Sequence, residues 1–127
     1  MEPSPHAIEV IVATRFLDDQ SIPEDDRYVF AYTIRIRNAG TAPAQLLARH
    51  WVITDAHGKV EEVRGPGVVG KQPTLRRGES FEYTSGCPLK TPFGSMHGSY
   101  EMLTEGGERF LAEIPAFALR ERQGVFN

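Results

Sequence analysis

The chain has 127 residues, 40% of them hydrophobic and 24% charged, enough for one domain with one real core and far from a disordered composition. A formal charge of −3, from 14 basic and 17 acidic residues, argues against a general nucleic-acid binder. No apolar run approaches the roughly 20 residues of a membrane helix, and Met1-Glu2-Pro3-Ser4-Pro5 lacks the basic start and apolar core of a signal peptide. The single cysteine, Cys87, leaves no intrachain disulfide and suits a reducing compartment, so a cytoplasmic location is expected.

In chain order, residues 1–5 read as a short tail. Ile8, Val10 and Val12 alternate with Glu9, Ile11 and Ala13 in a strand that ends near Phe16. Residues 17–26 form an acidic loop. The clearest strand runs from Tyr28 to Arg37, with Phe30, Tyr32, Ile34 and Ile36 on one face and Thr33, Arg35 and Arg37 on the other. A turn at Asn38-Ala39-Gly40 leads to a strand over 45–54, with Leu47, Trp51 and Ile53 on one parity and His50 on the other. Asp55-Ala56-His57-Gly58 is a hairpin connection into a strand over 59–64. Beyond a glycine-rich stretch, Ser80 to Ser85 alternates, with Phe81 and Tyr83 sharing a face. Residues 86–94, with two prolines and two glycines, read as a loop. Ser95 to Leu103 carries Met96, Gly98, Tyr100 and Met102 in one row. Glu105-Gly106-Gly107-Glu108 is a hairpin turn, a last strand spans 109–117, and residues 120–127 read as frayed.

No window holds helical periodicity. Seven or eight short strands with a turn about every ten residues predict an all-β, antiparallel sandwich of the immunoglobulin or fibronectin type III kind. A single Trp on the third strand fits that architecture, Tyr100 is a candidate tyrosine corner, and a small β-barrel is the competing arrangement.

The stretch Gly65-Pro66-Gly67-Val68-Val69-Gly70-Lys71-Gln72-Pro73 spells G-x-G-x-x-G and nearly spells a phosphate loop. Both nucleotide motifs end a strand and open a helix that holds the phosphates. Here Gln72 replaces the metal-binding Ser or Thr, Pro73 follows, and only four residues separate it from Gly78. The context argues against a nucleotide and for a turn whose glycines permit positive φ. Arg64, Lys71, Arg76 and Arg77 flank Gly65, Gly67 and Gly70, so the turn is also a candidate nest for a phosphate or an acidic peptide. His6, His50, His57 and His97 show no paired ligand spacing. A Co²⁺ or Mg²⁺ site would have to be assembled from distant segments, with His50 and His97 as its candidate ligands. No nucleophile–base–acid arrangement is legible and no cofactor is called for, so a non-enzyme that binds partners through strand edges, or through the loop Pro88 to Pro92, is expected. The free protein is expected to be a monomer or an edge-paired dimer.

The blocks Arg49-His50-Trp51, Ile53-Thr54-Asp55, Val63 to Gly70, Gln72-Pro73, Phe81 to Gly86, Thr91-Pro92, Gly94-Ser95-Met96, Gly98-Ser99-Tyr100 and Ile114-Pro115-Ala116-Phe117 together resemble the ApaG family, over about residues 6–120 of a single domain. The resemblance implies a fibronectin III-like sandwich and a gene linked in enteric bacteria to cobalt resistance and magnesium efflux, often beside dinucleotide-tetraphosphate metabolism. It also implies a protein-interaction module, since related domains occur in F-box and DNA-polymerase-delta-interacting proteins. It supplies no catalytic residues, and a soluble domain of this kind would touch ion efflux by contact or by binding the ion rather than as a pore.

Overall fold

The alternation in Tyr28–Asn38 buries one face: Phe30, Ile34 and Ile36 have no exposed surface, while Arg35 is in solvent. In the computed structural model, which describes residues 4–121, this strand is β2 of eight. The others are β1 (Ile8–Phe16), β3 (Ala44–Asp55), β4 (Val60–Pro66), β5 (Thr74–Leu75), β6 (Ser80–Leu89), β7 (Phe93–Thr104) and β8 (Arg109–Arg120). Two single 3₁₀ turns, Asp18–Gln20 and Pro23–Asp25, lie in the acidic loop, and there is no α-helix among the described residues. All pairing is antiparallel, in two separate sheets: β1-β2-β6, and β4-β3-β7-β8 with β5 also on β3. This is an open sandwich, and the two free-standing sheets replace the closed barrel as the arrangement.

Between the sheets, Trp51 on β3 packs edge-on against Tyr32 at 5.3 Å and sits near-perpendicular to Phe117 at 5.8 Å and Tyr100 at 6.5 Å. Edge-on packing of this kind adds to the area buried. The buried indole N–H has no hydrogen-bond acceptor among the described residues. The hydroxyls of Tyr83 and Tyr100 bond to each other at 2.5 Å across the core, joining β6 to β7. Tyr100 is therefore a mid-strand core residue whose hydroxyl meets a side chain, and the tyrosine-corner expectation, which needs a backbone partner, is corrected.

Three further expectations change. Residues 86–89 are not loop: β6 runs on to Leu89 and pairs with β2 as far as Tyr28, because β2 is long enough to offer partners. Pro88 is tolerated there since β6 is an edge strand with one neighbour only. Leu47 does not share the parity of Trp51. A bulge between Leu46 and Ala48 adds one residue to β3, so that Leu46 and Trp51 both face the core although they lie five apart. Finally, Thr74–Leu75 forms the short β5, whose Leu75 is buried.

The expected loose ends fall largely on residues 1–3 and 122–127, outside the described residues. Within the described chain, the Pro5 carbonyl accepts the Ala42 N–H, and β8 extends to Arg120. Asn38, fully buried, ties the connections together: its Nδ2 donates to the carbonyls of Ala42 and Leu75, and its Oδ1 accepts from the Gly40 N–H. A buried amide satisfied in this way specifies one arrangement of the loops around it.

Burial raises the pKa of four core acids. Cys87 is pushed up to about 11, mainly by desolvation and secondly by the Glu61 charge, and Tyr32, Tyr83 and Tyr100 are all shifted upward chiefly by desolvation. Each is an acid that stays protonated in the folded state after the unfolded chain has released its proton. The folded state therefore binds more protons above the unfolded pKa, and stability falls as pH rises. Thermal unfolding is expected to be level from pH 7 to about 8.5 and to decline steeply between about pH 9 and 11. Cys87→Ala should remove about 2–3 kcal/mol of that decline, read as a flatter slope of denaturant-derived stability against pH.

Candidate functional site

The bulge at Leu47 organises the glycine-rich stretch. Freed from regular pairing with β7, the Leu47 carbonyl accepts the Gly67 N–H at 2.8 Å and the Gln72 Nε2 at 2.9 Å. The chain leaves β4 at Pro66, turns, and returns to the same edge of β3 as β5. At the turn, Val68 and Lys71 exchange backbone hydrogen bonds of 2.8 and 2.9 Å around Val69 (φ 43°) and Gly70 (φ 79°). That is a two-residue hairpin turn with positive φ at both central positions, the mirror-image type I geometry. Val68 is fully buried and anchors the turn to the core.

Arg49 holds the turn from the inner side. Its Nη1 donates to the carbonyls of Pro66 and Gly67, both at 3.0 Å. The guanidinium lies so close over Gly65 that a Cβ there would stand 2.9 Å from it, and a Cβ on Gly67 would meet the Lys71 carbonyl at 2.4 Å. The glycines thus serve a turn and two close approaches. The N–H groups of Gly67, Val68 and Lys71 bond to carbonyls of the protein itself.

The cations predicted to surround the turn spread along the edge of β3. Arg64 stands opposite His50, whereas Leu75, just before Arg76 and Arg77, stands opposite Ala44. Six residues of strand separate the two, about 20 Å. Arg76 and Arg77 belong to the turn into β6, where the Arg76 N–H donates to the Glu79 carboxylate at 2.7 Å. Lys71 is exposed at the hairpin. Arg64 and His50 are brought together by Glu62, whose Oε1 lies 2.8 Å from His50 Nε2 and 3.7 Å from Arg64.

His97 shares the outer face with His50, since it is two residues along β7 from Ser99, the residue opposite His50. Among the described residues, no three His, Cys, Asp or Glu side chains converge on one point. The same outer face carries an open hollow of about 670 Å³ lined by His50, Arg64, Gln72, Arg109 and Leu111 among others.

A second region was not legible in the sequence. Where β4 and β6 end their sheets, a cavity of about 260 Å³ opens between them, walled by Trp51, Ile53, Glu61, Val63, Gly86 and Cys87 among others. A second cavity of about 410 Å³ shares Ile53, Glu61 and Pro88 with it and continues towards Asp25, Lys59 and Lys90. The inner parity of β4, read from the pairs Trp51–Val63 and Ile53–Glu61, puts Val63 and Glu61 on the core side, yet Val63 is 40% exposed. An inward apolar residue left uncovered is the sign of this opening, and only the three-dimensional arrangement reveals it.

Comparison with known proteins gives a consistent answer. The ApaG domain family matches residues 18–104. Protein ApaG of Thiobacillus denitrificans is 60% identical over 114 residues, covering 90% of each chain, and Protein ApaG of Dechloromonas aromatica is 58% identical over the same length and shares. The crystal structure of the putative ApaA protein from Bordetella pertussis superposes with a TM-score of 0.93 at 50% identity, covering 97% of this chain and 100% of that one.

Two substitutions in the hairpin should move stability in opposite directions. Gly67→Ala adds a Cβ against backbone at positive φ and should cost about 2 kcal/mol or more in denaturant unfolding. Val69→Asn replaces a β-branched residue at positive φ by one that tolerates it, and should add about 1 kcal/mol.

Proposed function

The chain belongs to the ApaG family, and on that premise we propose that it is a non-catalytic binding module that acts by holding a partner protein, in a pathway touching cobalt tolerance and magnesium efflux. The observation that carries this reading is the open side of the sandwich. There β4 and β6 each have one strand neighbour only, β4 is exposed along almost its whole length, and Val60 and Val63 are 54% and 40% exposed. Unpaired strand edges beside exposed β-branched side chains are what strand-addition interfaces use.

The chemistry of the one thiol supports the non-catalytic part. Cys87 is buried and its pKa is raised to about 11, so the thiolate that a nucleophile requires is scarce near neutral pH. Among the described residues no helix is long and apolar enough to cross a membrane.

A second reading is direct binding of Co²⁺ or Mg²⁺, or of a phosphate-bearing ligand at the glycine turn. What favours the cation is that His50, hydrogen-bonded to Glu62, shares a face with His97. Titration of the protein with Co²⁺ tests it: a saturable d–d absorption band that His50→Ala removes supports direct binding, and an unaltered spectrum excludes these ligands.

The interaction reading is tested by a photo-crosslinking residue at Val63 in growing cells, with one at Glu113 as control. Discrete adducts from Val63 alone are expected. Adducts from neither position, nor from any other exposed strand position, would overturn it. A strain whose only copy carries Val63→Lys at normal protein level should share the cobalt tolerance of the deletion strain.

A further inference from the structure

Counting strands across the sandwich exposes a vacancy. The sheet β1-β2-β6 is three strands wide, and the sheet facing it, β4-β3-β7-β8, is four. Because β1 lies against β8, the missing position falls at the other end, beside β6 and over the inner face of β4. The two cavities that share Ile53, Glu61 and Pro88 occupy this position.

The free edge of β6 is set up for pairing. The Asn38 N–H donates to the Glu79 carbonyl, which fixes the hydrogen-bonded parity between β2 and β6. By alternation, Phe81, Tyr83, Ser85 and Cys87 bond to β2, and the N–H and C=O groups of Glu82, Thr84 and Gly86 point to the open side. The side chains of Thr33 and Thr84 meet at 2.8 Å, as expected for a non-hydrogen-bonded pair. Pro88 falls on the outward parity too, so the N–H it lacks is one that would have faced the vacancy.

Charge narrows the occupant. Glu61 is exposed on the wall of the slot and forms no ion pair among the described residues. Arg49, the cation of the smaller cavity, is committed to the carbonyls of Pro66 and Gly67, while in the larger one Arg27, Lys59 and Lys90 are accompanied by Asp25, Asp26 and Asp55. A second copy presenting its own β6 would bring Ser80–Leu89, which holds no Lys or Arg and adds Glu82. We infer that the slot beside β6 receives an extended segment of a different protein, pairing with the backbone of Glu82 to Gly86, setting small apolar side chains over Ile53 and Val63, and placing a Lys or Arg against Glu61. This rests on the interaction reading above and names its site and the partner's chemistry.

The test is selection of a random decapeptide phage library on the full chain, followed by amide hydrogen exchange of the chain with the best enriched peptide. Enriched peptides should alternate apolar residues and carry a Lys or Arg. They should slow exchange at Glu82, Thr84 and Gly86 and lose affinity about tenfold or more with Glu61→Lys, an exposed position where folding is not at stake. Protection confined to β4 or the outer face, affinity indifferent to Glu61→Lys, no enrichment, or a dimer in sedimentation that Glu61→Lys leaves unchanged while peptides fail to bind would each overturn the inference. Crosslinking from Val63 in cells decides separately whether the interaction reading stands, since it requires neither a basic residue nor pairing with β6.

Discussion

One extra residue in β3 governs much of the arrangement. Without the bulge at Leu47, strict alternation would place Leu46 and Trp51 on opposite faces, and either the aromatic centre of the core or the Ala44–Leu46 segment would be turned to solvent. The bulge lets both ends of the strand face inward. It also leaves a carbonyl free, and that carbonyl gathers the Gly67 N–H and the Gln72 amide and so fixes where the glycine hairpin leaves and rejoins the edge. The inward position of Arg49, the outward position of His50 and the reach of β4 all follow from the parity it sets.

The edges of the two sheets are treated unequally. In β8 the register shift between Met96 and Gly98 puts an extra residue beside Pro115, so that edge is kinked and short of a donor. β1 is an edge as well, but it is laid against β8. The side formed by β4 and β6 has only Pro66 and Pro88 to blunt it, each at the end of its strand. One side of the sandwich is thus guarded by a bulge while the other is left as regular strand, and Glu61 and Val63 lie on that unguarded side.

The strands were legible because their signal is local. Tyr28 to Arg37 alternates so strictly that its buried face is readable from the sequence, and the row Met96, Tyr100 and Met102 is buried as the spacing implies. What escaped was non-local. Residues 86–89 carry turn-type composition and become strand because β2 extends far enough to pair with them. The bulge is invisible since Leu46 and Leu47 are equally apolar, and nothing in the sequence says which one faces in. The glycine turn was correctly separated from helix-based nucleotide motifs by Pro73 and Gly78, whereas the clamp by Arg49 requires knowing that residue 49 lies over residue 65. His50 and His97 share a face only through a register that no local pattern specifies.

The pairing of β3 with β7 joins residues as far apart in sequence as Ala44 and Thr104. During synthesis, β3 can acquire β4 on one side as soon as the hairpin at Asp55 emerges, but its other side waits for some fifty further residues. At about 5–20 residues per second, the interval is of the order of seconds. Over that time the nascent chain presents a twelve-residue strand half-paired, with Trp51 uncovered. Completion of the fold therefore waits on β7 and β8, and non-local pairing of this kind is what slows the folding of β-sheet proteins.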